Sequence, residues 1–326
     1  MQPWPEVFQS FSKLGVLIIG DVMVDSYIWG VVERISPEAP VPVVQVTRRD
    51  NRLGGAANVA LNVQALGATP VLCALVGEDD NGKLLRQLLE EKQLTRDGIV
   101  VSTSRPTTVK ARVIAAHQHV VRIDQESDKI ASSNEEAELL ARVEKLLPGC
   151  DVVVFEDYDK GVITPGLIAQ TVKWANARNI PTVVDPKKRN FLHYSGVTLF
   201  KPNVKEMRDG LKIDLDPSDD RSVRASVQQL KQRLGVEGVM LTMSEHGVYI
   251  DHGGVQKALP AHKREIADVS GAGDTVVSIA ALCVGLKRSA EEIAFLANLG
   301  GGLVCQHVGV VPIDRKELLD EAMVAG

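Results

Sequence analysis

One octapeptide combines two residue types that serve opposite charges: Asp268-Val269-Ser270-Gly271-Ala272-Gly273-Asp274-Thr275. The apolar run 275–282 behind it has helical character. Glycines just ahead of a helix leave backbone N–H groups free and aimed at one point, where the helix dipole also favours negative charge. Such a turn is an anion cradle. A carboxylate in the same turn has the wrong charge for gripping an anion, so Asp274 is suited to act on a neighbouring group instead. The pair points to phosphoryl transfer: amides hold the migrating group while the acid takes a proton from the acceptor hydroxyl. The plain structural alternative is a glycine-rich turn with an N-capping aspartate.

Other residues could join this chemistry. Gly54-Gly55-Ala56-Ala57-Asn58 sets a glycine pair at a helix start, where a ligand can approach the backbone closely and Asn58 faces the same opening. A simple turn with a small-residue helix face explains it as well. Lys110 and Arg112 share one face of an alternating strand, which suits a phosphate or sugar phosphate. A solvated charged face is the commoner reason for such a pair. Asn203-x-x-Glu206 places an amide and a carboxylate one helical turn apart. Both are hard oxygen ligands of the kind that hold Mg²⁺, often through waters, beside phosphates. An N-cap with a capping-box glutamate accounts for the same spacing. Gly77-Glu78-Asp79-Asp80-Asn81-Gly82-Lys83-Leu84 mimics a Walker A loop, but Leu84 replaces the magnesium-binding hydroxyl and three acids would repel phosphates. Those acids cap a helix over 82–93.

These groups need a scaffold, and the chain alternates regularly. Val16-Leu17-Ile18-Ile19-Gly20, 71–77, Val152-Val153-Val154-Phe155, 181–184, 198–200 and 238–242 are short apolar runs of the type buried on both sheet faces. Helices are expected over 56–66, from a Ser133-x-x-Glu136 capping box to 147, over 164–178 behind Thr164-Pro165, and over 219–234. Ser289-x-x-Glu292 opens another helix and Asp314 the last. Such repetition predicts an α/β fold, a mostly parallel sheet with helices on both faces. Ligands then sit beyond the C-terminal strand ends, which carry Asp21, Asp157, Asp185, Asn203 and Thr242. The proline-rich 36–46 stretch and the alternating 107–123 stretch predict a small β-structure outside the main sheet.

Bulk composition narrows the classes. The chain has 326 residues, 44% apolar and 24% charged, with a net charge of −5, so it buries a real core and shows no basic surface for nucleic acid. Cys73, Cys150, Cys283 and Cys305 are scattered and read as buried free thiols. No apolar stretch reaches the ~18 residues of a membrane span, and residues 1–6 lack a leader pattern. A cytoplasmic protein is expected. The first strand ends without G-x-G-x-x-G, there is no G-x-S-x-G elbow, and the histidines lack H-x-x-x-H spacing. Hydride transfer, serine hydrolysis and a zinc site are all disfavoured.

Gly54-Gly55-Ala56-Ala57-Asn58, Asn203-x-x-Glu206, Thr242-x-Ser244-x-x-Gly247 and the octapeptide occur in the order used by the ribokinase-like (phosphofructokinase B) carbohydrate kinases. The chain resembles that family over practically its whole length. Within it, Gly20-Asp21-Val22-Met23-Val24-Asp25 and Arg34-Ile35-Ser36-Pro37-Glu38-Ala39-Pro40-Val41-Pro42-Val43 are most similar to bacterial D-glycero-β-D-manno-heptose-7-phosphate kinases. Thr108-Val109-Lys110-Ala111-Arg112 and Asp157-Tyr158-Asp159-Lys160-Gly161 are softer matches. The resemblance implies a ribokinase-like three-layer sandwich, one domain over 1–326, with a β lid from about 23–52 and 102–125. It implies ATP-dependent, Mg²⁺-dependent phosphorylation of the anomeric hydroxyl of a heptose 7-phosphate, toward nucleotide-activated heptose for lipopolysaccharide core. Asp274 would be the base and the amides of Gly271, Ala272 and Gly273 the anion hole. Asn203 and Glu206 would act on magnesium and phosphate, and Thr242, Ser244 and Gly247 on the nucleotide. Asp21, Asp25, Gly54, Gly55 and Asn58 would lie around the sugar. Charge matching adds Lys110, Arg112, Lys160 and Lys187 for the 7-phosphate. The resemblance also implies a homodimer paired through the lid.

Two stretches depart from the group's pattern: Ala115-Ala116-His117, and Lys188-Arg189-Asn190 where a glycine is usual. The H-x-G-H signature of a fused nucleotidyltransferase is not found by Gly326, so a stand-alone kinase is expected. Another sugar-phosphate kinase, or a catalytically idle nucleotide-binding regulator on the same fold, are the alternatives.

Overall fold

A computed structural model describes residues 3–115, 118–262 and 264–325. Ala116 and His117 of the lid departure lie outside them. The chain first forms β1 (Gly15–Gly20), β2 (Val22–Ile35), β3 (Pro42–Gly55), β4 (Thr69–Gly77) and β5 (Gly98–Ser102). Then come β6 (Thr108–Ala115), β7 (Gln118–Gln125), β8 (Val152–Glu156), β9 (Thr182–Asp185) and β10 (Leu199–Phe200). The last strands are β11 (Gly238–Thr242), β12 (Val248–His252) and β13 (Val255–Leu259).

Nine of these strands form one sheet in the order β13-β12-β11-β10-β9-β8-β1-β4-β5, parallel except for the hairpin that adds β12 and β13. Alternate side chains of each central strand enter different cores, Val16 and Ile18 of β1 on one face and Leu17 and Ile19 on the other. That is why the strands read as unbroken apolar runs. One face is covered by α1 (Trp4–Phe11), α2 (Ala56–Ala65), α3 (Asp80–Glu91), α8 (Ala272–Gly285), α9 (Ala290–Val304) and α10 (Arg315–Ala325). The other is covered by α4 (Ser133–Leu146), α5 (Pro165–Asn176), α6 (Val204–Leu211) and α7 (Asp220–Leu234). The result is the expected three-layer α/β sandwich.

The second sheet, β3-β2-β6-β7, stands apart, with β2 and β6 parallel and the outer pairs antiparallel. It matches the anticipated β-structure, except that its second half begins at Thr108; residues 98–102 belong to the central sheet as β5. The cap of α4 also differs by one residue. Ser132 and Glu135 form the capping box, because Glu135 simultaneously accepts from Ser102 and Ser104. Glu136 instead takes the Thr164 hydroxyl. The Walker-like acids cap as expected: Asp79 accepts from the Gly82 amide at 2.7 Å. Cys73, Cys150 and Cys283 are buried free thiols, while Cys305 is half-buried just beyond α9. Among the described residues no helix is long and apolar enough to cross a membrane.

Candidate active site

The start of α8 lies against the C-terminal ends of the central strands. Gly271, with φ +81°, precedes the helix in the left-handed region, and a Cβ there would lie 3.1 Å from the Asn58 amide nitrogen. Asp268 secures the turn by accepting from the amides of Ser270 and Gly309, each at 2.9 Å. Of the three cradle amides, that of Ala272 is already engaged with the Val269 carbonyl at 3.3 Å.

Asp274 does not cap its own helix. Its Oδ2 accepts from the Asn58 side-chain amide and its Oδ1 from the Tyr158 hydroxyl, both at 2.7 Å. The residue is only 3% exposed. Burial pushes its carboxyl up to about 6, opposed by the bonds from Asn58 and Tyr158, while Asp185 adds repulsion and Lys187 relief. That places a carboxylate near neutral basicity in an enclosed position, as a general base requires.

The two clamps come from distant elements. Asn58 sits in the first turn of α2, fully buried. Asn62, one turn on, accepts from the Thr275 hydroxyl and the Ile313 amide, both at 3.0 Å, so α2 and α8 are locked together by polar groups. Tyr158 follows β8, and its loop is shaped by Asp21. The buried Asp21 carboxylate takes the amides of Tyr158 (2.8 Å), Lys160 (3.1 Å) and Val162 (3.1 Å). Its carboxyl is raised by burial and restrained by those same amides. Asp21 therefore acts on the loop that carries Tyr158, although sequence reading places it at the sugar. Asp157 is likewise structural, accepting from Asn190 (3.0 Å) and Tyr194 (2.9 Å). Asn190 and Arg189, which caps the Asp128 carbonyl at 2.7 Å, absorb the 188–190 departure into the loop framework.

A charged cluster flanks the base. Lys201 pairs with Asp185 at 2.8 Å, and Lys187 reaches Glu206 at 2.6 Å and Asp185 at 3.3 Å. Burial opposes the Lys187 ammonium, yet Asp185 and Glu206 hold it above its ordinary range. A Cβ on Gly273 would lie 3.5 Å from Asp185 Oδ2 and 4.0 Å from Lys201 Nζ, so this cation faces the start of α8. Lys201 and Tyr158 are side chains of this site that spacing alone misses. Their only sequence signal is position, just past a buried strand.

Asn203 and Glu206 form the capping box of α6: Asn203 Oδ1 accepts from the Glu206 amide at 2.8 Å and Glu206 Oε2 from the Asn203 amide at 2.9 Å. With Lys187 on Oε1, these oxygens are committed but keep lone pairs that suit the waters of a hydrated Mg²⁺. Among the described residues no group of three His, Cys, Asp or Glu side chains is placed to hold a bare ion. The remaining lone pairs of Asn203 and Glu206 are hard oxygen acceptors that fit the waters of a hydrated magnesium. Thr242 is bridged to Asn203, with its amide on the Pro202 carbonyl at 3.0 Å. Ser244 and Gly247 form a tight turn, and Gly247 (φ +83°) admits no side chain, since a Cβ would fall 2.1 Å from the Leu259 carbonyl.

At the second sheet, Asp25 pairs with Arg112, whose guanidinium lies 5.3 Å from the Tyr27 ring centre. Gly54 must be glycine because a Cβ would lie 2.1 Å from Asp25 Oδ2, and Gly55 turns into α2 at φ +60°. Lys110 and Lys160 converge on Glu126, at 3.3 and 2.7 Å. The four cations are thus divided, with Lys187 beside Glu206 and the other three toward the second sheet.

The sequence profile of the pfkB family carbohydrate kinases matches residues 13–316. A protein of Pelobacter propionicus named bifunctional protein HldE is 39% identical over 322 residues, covering 98% of this chain. The chain spans 65% of that relative's own length. By shape, it is similar to an Escherichia coli phosphofructokinase-2 mutant (TM-score 0.79, 16% identity, 96% and 99% of the two chains). It is also similar to Arabidopsis thaliana ribokinase, solved with ribose and ATP (TM-score 0.69, 18% identity, 94% and 98%). The order of motifs, the three-layer sandwich with its outlying sheet and the matched profile agree: the chain belongs to the pfkB family of carbohydrate kinases.

Proposed function

We propose that this chain uses ATP to phosphorylate the anomeric hydroxyl of D-glycero-β-D-manno-heptose 7-phosphate, forming the 1,7-bisphosphate in the cytoplasm. The observation that carries the reading is Asp274, buried yet aimed away from its own helix and clamped by Asn58 and Tyr158. Asp274 removes the proton of the sugar hydroxyl as its oxygen attacks the γ-phosphorus. The bond from that phosphorus to the ADP oxygen breaks, and ADP leaves. The amides of Gly271 and Gly273, with the Lys201 ammonium, hold the migrating group. Asn203 and Glu206 would hold Mg²⁺ through its waters, and the ion neutralises phosphate charge when bound. Thr242, Ser244 and Gly247 line the nucleotide side.

Asp25, Gly54 and Gly55 border the sugar, and Asp21 keeps the Tyr158 loop in place. Lys110, Arg112 and Lys160 receive the 7-phosphate, which must exchange with Glu126 and Asp25 as their partner. Lys187, bound to Glu206, serves the nucleotide phosphates instead. Residues 1–326 act as one kinase domain, with the second sheet, over 22–55 and 108–125, as a lid that also pairs two subunits. The heptose assignment rests on the stretches 20–25 and 34–43 and on these cations. ADP release across a panel of sugar phosphates tests it. We expect heptose 7-phosphate to turn over best, with Asp274→Asn lowering turnover by about 10²–10⁴-fold while ATP binding persists. Equal or better turnover of fructose 1-phosphate, fructose 6-phosphate or ribose would show the substrate to be another sugar.

A further inference from the structure

Glu156, the last residue of β8, is fully buried, and neither of its carboxylate oxygens has a hydrogen-bond partner among the described residues. Sequence reading passes over it as the end of an apolar run. A buried carboxyl group without a partner is costly, and a ligand that donates to it would remove that cost. In the parallel register Glu156 lies between Gly20 and Asp185. Register partners project to the same sheet face, so its side chain stands beside that of Asp185. On the other flank Gly20 carries no side chain, and a Cβ there would fall 2.1 Å from the Glu156 carbonyl oxygen and 3.0 Å from its Cβ.

Burial pushes the Glu156 carboxyl well above the ordinary carboxylate range; Asp185 and Asp274 add repulsion, and Lys187 and Lys201 relief. Lys201 is committed to Asp185, and Lys187 to Asp185 and Glu206. Both ammonium groups are thus engaged by Asp185 and Glu206, and neither hydrogen-bonds Glu156. The cluster borders the start of α8, where Gly273 approaches Asp185. Resting on the magnesium-dependent reading above, we propose that Glu156 is a further carboxylate of the divalent-cation site, its free oxygens accepting from water of the cation's shell.

Mn²⁺ alone is the probe, with binding to the full chain read from the electron paramagnetic resonance signal of the free ion. We expect wild type to bind it and Glu156→Gln to weaken that binding by roughly 10- to 100-fold, as loss of an outer-shell partner does. Glu156→Asp, one methylene shorter, should fall between them. Thermal unfolding checks that each variant is folded. Wild-type affinity in both variants would overturn the role of Glu156 and leave the kinase reading intact. A wild-type chain that binds no Mn²⁺ would overturn this inference and the magnesium assignment together, whatever sugar is phosphorylated.

Discussion

The proposed chemistry concentrates on one carboxyl group and two donors. Asp274 is pushed up to about 6 by burial, and its bonds from Asn58 and Tyr158 act in the opposite direction by stabilising the anion. A general base works only when deprotonated. kcat/KM should therefore rise with pH through about 6 and level off above it. Tyr158→Phe deletes a donor to the carboxylate while keeping the ring, so the neutral form gains and the acid limb moves to higher pH. The lost charge-assisted bond predicts roughly a tenfold drop in kcat/KM near neutrality. A pH–rate series on the two proteins checks both. An unmoved limb would remove Tyr158 from the machinery. Nothing local in the sequence singles out Tyr158, because its target lies 116 positions away.

At the scale of elements, the site depends on how β2, β3 and α2 meet. Gly54 pairs with Met23 in the β2–β3 register, two positions from Asp25 opposite Arg52. A methyl group at position 54 would lie 2.1 Å from Asp25 Oδ2 and 2.9 Å from Met23 Cγ. Gly54→Ala must therefore displace Asp25 from Arg112, at an expected loss of about 1–3 kcal/mol by overpacking. KM for the sugar phosphate should rise while KM for ATP stays constant, which steady-state kinetics and thermal unfolding can measure. The glycine pair is visible in the sequence, yet a plain turn explains it equally until the carboxylate beside it is seen. Asn203 and Glu206 show the converse. Capping and ligand binding share one spacing, and the structure realises the cap.

At the scale of the whole molecule, the outlying sheet exposes Val31, Ile35, Val46, Val121 and Ile123, from 47% to 60%. Exposed apolar side chains on a small sheet with two open edges suit the proposed contact between subunits. The proposed lid-paired dimer makes this concrete. Wild type should run as a dimer in light scattering after size exclusion, and Ile35→Lys combined with Ile123→Lys as a monomer. A monomeric wild type at micromolar concentration would refute the pairing.

Much of this was decided by sequence alone. Apolar runs of strand length set the buried sheet, Ser289-x-x-Glu292 and Thr164-Pro165 opened their helices as read, and the order of four motifs identified the family. These signals are local, because propensity, capping and periodicity act within a few residues. Ser132 taking the cap expected of Ser133 shows their limit: Glu135 was also drawn by Ser102 and Ser104, from another element. Only the tertiary structure decided the partners of each charge. It turned Asp21 to backbone amides, gave Lys187 to Glu206, set Lys201 before α8 and left Glu156 without a hydrogen-bond partner among the described residues. Electrostatics in a buried site depends on distance through space, and residues 58, 158 and 274 meet only when the fold brings their strand and helix ends together.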